Sequence, residues 1–245
     1  MTNTLRIPRI IHQVYEGRDN NSPPSELIRL SRSWKELNPD WEYYLWDYRA
    51  IDQFLENYYP NFINIYNNYK YDVQRWDAIR YLIIYQHGGL YVDMDYQCIE
   101  KIEDILIDKE CCLGTEPPEH STIFGVQEMI GNAFIASIPK HPFIGALIDE
   151  IQKDDLVFDN HEVMHSTGPL MVTRVYDNFE KKEDIRISYK LVTPLTKQEI
   201  RAIILGKASA EIKQKVAQAY AIHYFWGSWL NQIPNWKPIY FVDYL

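Results

Sequence analysis

The chain lacks several patterns that would each assign it to a class of protein. Its 245 residues include 3 cysteines, at positions 98, 111 and 112, whose spacing gives neither a metal site nor a disulfide framework. No stretch reaches the length needed to span a bilayer, and the N-terminal segment lacks the apolar core of a signal peptide. We expect a cytoplasmic protein, and the aromatic C-terminal segment leaves peripheral contact with the inner face of the membrane open.

The absence of a basic tract and of several nucleotide-binding and catalytic motifs argues against further classes of protein. The net charge is -9 and no basic tract stands out, which argues against nucleic acid as a partner. The dinucleotide-binding glycine fingerprint, the Walker A motif and the nucleophile elbow are all missing, which disfavours redox, P-loop and serine hydrolase chemistry. With 46% hydrophobic and 24% charged residues, the composition fits one folded α/β domain over residues 1–245.

The hydrophobic periodicity predicts alternating strands and helices. A strand over 7–15, a helix after the proline pair at 23–24 and a strand over 41–46 predict a parallel pair with a right-handed crossover. Further helices are predicted over 47–68 with a break at Pro60, and over 72–86, 142–152, 169–179 and 211–219. Further strands are predicted over 132–137, 191–193 and 221–225, and an apolar run over 111–113 precedes a predicted loop over 114–125.

The most informative motif is Gly-Gly-Leu-Tyr-Val-Asp-Met-Asp at residues 88–95. Side chains alternate along a strand, so Asp93 and Asp95 should point the same way at the carboxyl edge of a sheet, with Met94 opposite. Two hard oxygen ligands this close suit Mn²⁺ or Mg²⁺ that also holds a diphosphate. The alternative is a strand that ends in a polar turn.

Three other groups are candidates for the same site. Asp77 and Arg80 lie three residues apart on one helix face, where they form either a salt bridge or contacts with sugar hydroxyls and phosphate. His223 is either a core residue or a metal ligand. Asn132 opens a strand, where its amide either caps the strand edge or binds sugar hydroxyls.

Segments along nearly the whole chain carry a family resemblance. They are IPRIIHQ at 7–13, NPDWEYYLWD at 38–47, DAIRYL at 77–82, GGLYVDMD at 88–95, NA at 132, HPF at 141, TGP at 167 and HYFWGSW at 223–229. In this order they resemble a bacterial member of glycosyltransferase family 32, which includes α-1,6-mannosyltransferases that initiate yeast outer chains and many capsular polysaccharide enzymes.

The resemblance implies a GT-A type fold, with one open mixed sheet flanked by helices, and a nucleotide-sugar donor. It implies metal ligation by Asp93, Asp95 and His223. Phe225 departs from the pattern because many relatives carry a second histidine or another polar residue there, which leaves the C-terminal metal contact to His223 alone. The implied donor contacts are Ile11, His12 and Gln13 for base and ribose, Asp77 and Arg80 for ribose and sugar, Asp93 through the metal, and Ser228 and Trp229 for the β-phosphate.

The function that follows is a retaining, metal-dependent glycosyltransferase of surface polysaccharide synthesis. It would move a hexose or N-acetylhexosamine from UDP-hexose, UDP-N-acetylhexosamine or GDP-mannose to a saccharide or lipid-linked acceptor. Its catalytic residues would be Asp93, Asp95, Arg80 and Asn132, and the leaving phosphate would take the acceptor proton on the front face. The alternatives are a metal-dependent nucleotidyltransferase and a non-catalytic sugar-binding module.

Overall fold

The computed structural model describes residues 4–16, 22–153, 162–182 and 185–226. The strands are β1 (Ile10–Val14), β2 (Glu42–Trp46), β3 (Gly89–Val92), β4 (Tyr96–Cys98), β5 (Cys111–Thr115), β6 (Ile130–Ser137), β7 (Arg186–Ile187) and β8 (Ala221–His223). The α-helices are α1 (Ser25–Leu37), α2 (Tyr48–Tyr58), α3 (Ile63–Asn68), α4 (Asp72–His87), α5 (Pro118–Ile123), α6 (Pro142–Ile151), α7 (Glu162–Ser166), α8 (Pro169–Asn178), α9 (Tyr189–Val192), α10 (Lys197–Ile204) and α11 (Ala210–Ala217), with 3₁₀ turns at Pro60–Phe62 and Ile102–Ile105.

The main sheet is mixed and open, with strand order β2-β1-β3-β6-β5-β7. Strands β2, β1 and β3 are parallel, β6 runs antiparallel to β3 and β5, and β7 is parallel to β5. Helix α1 connects β1 to its parallel neighbour β2, as the sequence predicts. The predicted fold class is confirmed.

Helices cover both faces of this sheet. On one face lies α4, whose Ile79, Leu82 and Ile83 are fully buried because β6, α6 and α7 enclose the helix. On the other face lies α1, where the buried Trp34 indole donates to the Tyr96 carbonyl at 3.0 Å. Because helices bury both faces of the sheet, the polar residues lie along its edge.

Two glycines separate α4 from β3. Gly88 ends the helix with φ +67° and Gly89 follows with φ +93°, both in the left-handed region. A Cβ on Gly89 would lie 2.5 Å from the Ile10 carbonyl oxygen. The glycine pair therefore permits the close approach of β3 to β1 that positions the aspartate motif.

Two local predictions are wrong. The strand predicted over 191–193 is the end of helix α9, where Ser188 accepts from the Lys190 N–H as the N-cap. The predicted loop over 114–125 begins inside β5 and contains helix α5. Short apolar runs do not distinguish strand from helix, and the Pro117-Pro118 pair that suggested a loop instead opens a helix.

Candidate active site

A cleft of about 1420 Å³ opens along one edge of the main sheet. The carboxyl ends of β1, β3 and β5 meet the start of the antiparallel β6 at this edge. Ligands of open α/β sheets bind at the carboxyl ends of the strands. The polar side chains that line the cleft include Glu16, Asp77, Arg80, Asp93, Asp95, Glu116, Asn132 and His223.

The Asp-x-Asp motif lies in a turn and not on the strand. β3 ends at Val92, and the Tyr96 N–H closes the turn by donating to the Asp93 carbonyl at 3.1 Å. The prediction from strand alternation is therefore wrong in its local geometry, because the turn replaces the last residues of the strand. Met94 is buried, and all three residues of the motif line the cleft.

Asp93 is held through one of its two carboxylate oxygens. Its Oδ1 accepts from the Tyr91 hydroxyl at 2.6 Å and lies 3.3 Å from the Arg80 guanidinium. Burial raises the pKa of Asp93, and the charge of Asp95 adds to that rise, although Arg80 opposes it. Within the part of the chain that the structure describes, Oδ2 makes no hydrogen bond, and Asp93 lines the cleft.

Strand β8 brings His223 to this motif. It pairs antiparallel with β4, which places His223 opposite Tyr96, and the two rings stack at 4.3 Å. The His223 Nε2 atom lies 3.3 Å from Asp95 Oδ1, and the Trp226 N–H donates to Asp95 Oδ2 at 2.7 Å. Burial acts to lower the pKa of His223, but the Asp95 carboxylate raises it overall, and the same contact holds the pKa of Asp95 below its usual value against burial.

The donor set of this cluster fits a divalent cation. Asp93, Asp95 and His223 each offer a ligand atom, and these atoms lie within 4.8 Å of one another. The His223 Nδ1 atom is buried without a hydrogen-bond partner among the described residues. Two carboxylates with one imidazole form a nitrogen and oxygen set compatible with Mn²⁺. The predicted ligands are thus brought together, and which ion they bind stays a prediction.

Asp77 and Arg80 form a buried network with β6. The two side chains make the salt bridge that the sequence offered as one alternative, at 3.0 Å, and each residue is 4% exposed. Asn132 Nδ2 donates to Asp77 Oδ1 at 2.9 Å, and the Thr167 hydroxyl donates to Oδ2 at 2.9 Å. Arg80 also donates to the Asn132 carbonyl at 2.9 Å. Burial raises the pKa of Asp77 to about 7, although the Arg80 charge acts to lower it.

This network links the donor-contact candidates to the metal cluster. Arg80 bridges Asp77 and Asp93, so a fixed positive charge lies beside the Asp-x-Asp turn. All three network residues Asp77, Arg80 and Asn132 also line the cleft. Direct contact of these groups with a donor stays a prediction.

The segment predicted to hold the base and ribose is buried beneath the cleft. Ile11 is 1% exposed in the core, and Gln13 donates to the Asp93 carbonyl at 3.1 Å. His12 accepts from the Trp46 indole at 3.1 Å through Nδ1, which leaves Nε2 to donate to the Gly88 carbonyl at 3.0 Å. These side chains lie beneath the Asp-x-Asp turn, whereas the next three residues, 14–16, line the cleft.

We predict that His12 makes stability depend on pH. Burial lowers the pKa of His12 to about 3. Between about pH 6.5 and pH 3 the imidazole is therefore protonated in the unfolded chain and neutral in the folded protein. The contribution of His12 is present above about pH 6.5 and is lost as the pH falls toward 3. Between pH 7.5 and 4.5 we expect a loss of about 2–3 kcal/mol in the free energy of unfolding.

Urea unfolding of the wild type and of His12→Gln at several pH values measures this loss. Asp77, with its raised pKa, works in the opposite direction in both proteins, so the difference between the two curves isolates His12. The variant should be less stable at pH 7.5 and should lose less stability on acidification. Parallel curves would contradict the assignment.

Two carboxylates in the cleft were missed by the sequence analysis. Glu16 follows β1 and accepts from the Trp76 indole at 2.8 Å. Glu116 follows β5 and lies 2.9 Å from His120 Nδ1. The available signal was an acidic residue directly after a strand, the same signal that identified Asp93, but the loop prediction for 114–125 concealed it.

Ser228 and Trp229, the predicted β-phosphate contacts, lie outside the described residues. The described chain ends with Phe225, at φ +51°, and Trp226, which both line the cleft. Across the described ranges no helix is long and apolar enough to cross a membrane.

The comparison with protein families bears directly on the aspartate turn. Residues 24–112 match the family described as "Glycosyltransferase sugar-binding region containing DXD motif". The match includes Asp77, Arg80, Asp93 and Asp95, and it ends before His223. The resemblance to glycosyltransferases that carry this motif is therefore confirmed, whereas a bacterial capsular setting stays a prediction.

Several curated relatives are named for mannosyl transfer or for the synthesis of mannosyl phosphorylinositol ceramide. A mannosyl phosphorylinositol ceramide synthase of Saccharomyces cerevisiae is 30% identical over 177 residues, and the match covers 71% of this chain and 44% of the yeast protein. Inositol phosphoceramide mannosyltransferase 3 of Schizosaccharomyces pombe is 30% identical over 182 residues, covering 73% and 47%. The chain thus spans less than half the length of these relatives. An initiation-specific alpha-1,6-mannosyltransferase of Candida albicans is 24% identical, covering 91% and 72%.

Solved structures share the fold. The PaToxG glycosyltransferase superposes with a TM-score of 0.52 at 17% identity, covering 88% of this chain and 89% of that one. The ligand-free glycosyltransferase domain of the YGT toxin gives 0.51 at 11% identity, covering 74% and 80%. The architecture is the GT-A fold.

Proposed function

We propose that the chain is a metal-dependent glycosyltransferase that uses a nucleoside-diphosphate sugar. The observation that carries this proposal is the cluster of Asp93, Asp95 and His223 next to the buried Asp77–Arg80 pair, at the ligand-binding edge of a GT-A sheet. A cleft of about 1420 Å³ is large enough for a nucleotide sugar together with part of an acceptor.

The chain's own residues would hold the cation. Asp93, Asp95 and His223 would bind it, and a bound cation supplies positive charge against the charge that develops on the leaving diphosphate. Tyr91 and Arg80 fix Asp93 by contacts at Oδ1 and thereby leave Oδ2 for ligation. The Trp226 N–H fixes Asp95 in the same way at Oδ2.

The acceptor is proposed to be a saccharide or glycolipid hydroxyl. Relatives named for mannosyl transfer to inositol phosphoceramide support a glycolipid, and the relative named for initiation-specific alpha-1,6 transfer supports a glycan. We also propose retention of configuration, in which the bond to the diphosphate breaks and the acceptor oxygen bonds to the anomeric carbon on the same face. Contact with a membrane surface remains a prediction because the aromatic C-terminal segment lies outside the described residues.

A donor-hydrolysis screen tests the function without knowledge of the acceptor. The protein is incubated with Mn²⁺ and with GDP-mannose, UDP-glucose, UDP-galactose or UDP-N-acetylhexosamine, and the released nucleoside diphosphate is measured. We expect one donor to be preferred, with GDP-mannose tested first because of the relatives' names, and EDTA to stop the release. Proton NMR of the first sugar released reports its anomeric configuration.

Two other products would overturn the proposal. Pyrophosphate released from a nucleoside triphosphate and a sugar phosphate would identify a nucleotidyltransferase. Binding of free glycans in EDTA without any nucleotide release would identify a sugar-binding module.

A further inference from the structure

A buried glutamate and a histidine occupy the end of the cleft beyond the metal cluster. Glu116 directly follows β5 and is 9% exposed, and its Oε2 lies 2.9 Å from His120 Nδ1 on helix α5. A Cβ on Gly131 would lie 2.6 Å from Glu116 Oε1. The carboxylate of Glu116 therefore occupies space that is open only because residue 131 is a glycine. Neither residue belongs to the metal cluster or to the Asp77–Arg80 network.

The hydrogen bond selects one tautomer of His120. A carboxylate oxygen only accepts, so in the neutral imidazole Nδ1 carries the proton and Nε2 keeps its lone pair. Within the described part of the chain Nε2 makes no hydrogen bond, and His120 lines the cleft. The pair therefore presents a hydrogen-bond and proton acceptor to whatever occupies this end of the cleft.

The order of strands indicates which part of the substrate that is. Along the sheet edge, Glu16 and Trp76 lie at the β1 end, the Asp-x-Asp turn lies in the middle, and Glu116 lies at the β5 end. A diphosphate at the metal cluster separates the nucleoside from the sugar. The flat Trp76 ring suits a base, which leaves the β5 end for the sugar and the acceptor.

The histidine also lies close to the metal cluster. Its ring contacts the edge of Phe225 at 5.0 Å, and Phe225 lies 4.1 Å from His223 in the metal cluster. A base for a retaining reaction has to stand on the face from which the diphosphate leaves. The position of His120, two ring contacts from the proposed metal ligand His223, is compatible with that requirement.

Building on the proposed function, we propose that His120 is the general base that takes the proton of the attacking hydroxyl, and that Glu116 is its positioning residue. The bond between the anomeric carbon and the diphosphate breaks with its electron pair on the phosphate. The hydroxyl oxygen of the acceptor, or of water in hydrolysis, bonds to the anomeric carbon, and its proton moves to His120 Nε2. Glu116 stabilises the imidazolium that results. This replaces the leaving phosphate as the proton acceptor.

Hydrolysis of the donor that the wild type prefers tests the assignment, with water as the nucleophile. His120→Ala should lower kcat by about 100-fold, since general bases contribute at least this much. The Kd values of UDP and GDP in the presence of Mn²⁺ should change less than about twofold, because the base does not hold the nucleotide. Thr122→Ala is the matched control, since Thr122 lies on the same helix, is exposed and is not among the residues that line the cleft. It should keep wild-type kcat.

A second variant tests the role of Glu116 through His120. Glu116→Leu should lower kcat about tenfold or more. Nitrogen NMR of the imidazole above about pH 8 should find the proton on Nδ1 in the wild type and a shift toward Nε2 in Glu116→Leu. A merely structural glutamate would not move the proton between the two nitrogens.

The inference is overturned if His120→Ala keeps kcat within about twofold of the wild type, in which case the phosphate takes the proton. It is also overturned if nucleotide Kd weakens as much as kcat falls, or if Nε2 carries the proton in the wild type. If the wild type releases no nucleoside diphosphate from any donor, the proposed function itself fails. An active wild type with unaffected variants rejects the base alone.

Discussion

Replacing Asp95 with asparagine lowers the rate of donor hydrolysis by about a thousand-fold or more, equivalent to at least about 4 kcal/mol of activation free energy. Asparagine keeps the size of the side chain and an oxygen that can accept the Trp226 N–H, so the turn should stay folded. What it removes is the negative charge of the central carboxylate, which contacts His223 and faces Asp93. The loss should appear in kcat with Mn²⁺ present.

Asp149→Asn provides the control for this substitution. Asp149 lies exposed on helix α6 and does not line the cleft, so the same chemical change there should leave the rate unaltered. Circular dichroism and thermal unfolding of both variants check that the fold is intact. If the rate of donor hydrolysis by Asp95→Asn is within tenfold of the wild-type rate, Asp95 is not a catalytic residue.

Replacing Arg80 with methionine has the largest expected effect on stability. Arg80 is 4% exposed and neutralises both Asp77 and Asp93, so its loss leaves buried carboxylates without their partner. Removing one member of a buried ion pair costs about 3–5 kcal/mol. For a chain of this length the unfolding temperature should fall by about 10 °C. Calorimetry or fluorescence-monitored melting measures it.

A double variant and a surface control separate charge from packing. Adding Asp77→Asn to Arg80→Met removes one of the two buried carboxylate charges that have lost their partner. The free energy of unfolding should then be at least about 1 kcal/mol higher than that of Arg80→Met alone. Arg186→Gln breaks an exposed ion pair with Glu128 and should cost less than about 1 kcal/mol. Equal losses for Arg80→Met and Arg186→Gln would contradict the buried network.

The sequence predicts the α/β class and the aspartate pair at a strand end because both follow from local patterns. The helix over 72–86, the double glycine and the two aspartates are contiguous, and their periodicity identifies a strand end at the carboxyl edge of a sheet. The sequence alone left His223 open as a core residue or a metal ligand, and the family resemblance favoured the ligand, since its approach to Asp95 depends on pairing between β4 and β8, which are more than a hundred residues apart. Such pairing leaves no periodic signal in either short strand.

The roles of His12 and Glu116 depend on tertiary contacts that no local pattern encodes. His12 has the residue type of a ligand contact, but its two nitrogens are satisfied by Trp46 on β2 and by the Gly88 carbonyl after α4. Glu116 is positioned by an antiparallel strand and by the space that Gly131 leaves. Sequence spacing identifies the residues at a strand end, whereas which of them face the cleft is decided by neighbouring strands.

The central claim is that Asp93, Asp95 and His223 bind a divalent cation that anchors a nucleoside diphosphate. Electron paramagnetic resonance of Mn²⁺, titrated with the protein in the presence and absence of GDP or UDP, tests it most directly. We expect one bound Mn²⁺ per chain, tighter binding when the preferred nucleoside diphosphate is present, and loss of the bound signal in the double variant Asp93→Asn with Asp95→Asn. Unchanged Mn²⁺ binding in that variant, or wild-type donor turnover that persists in EDTA, would contradict the claim.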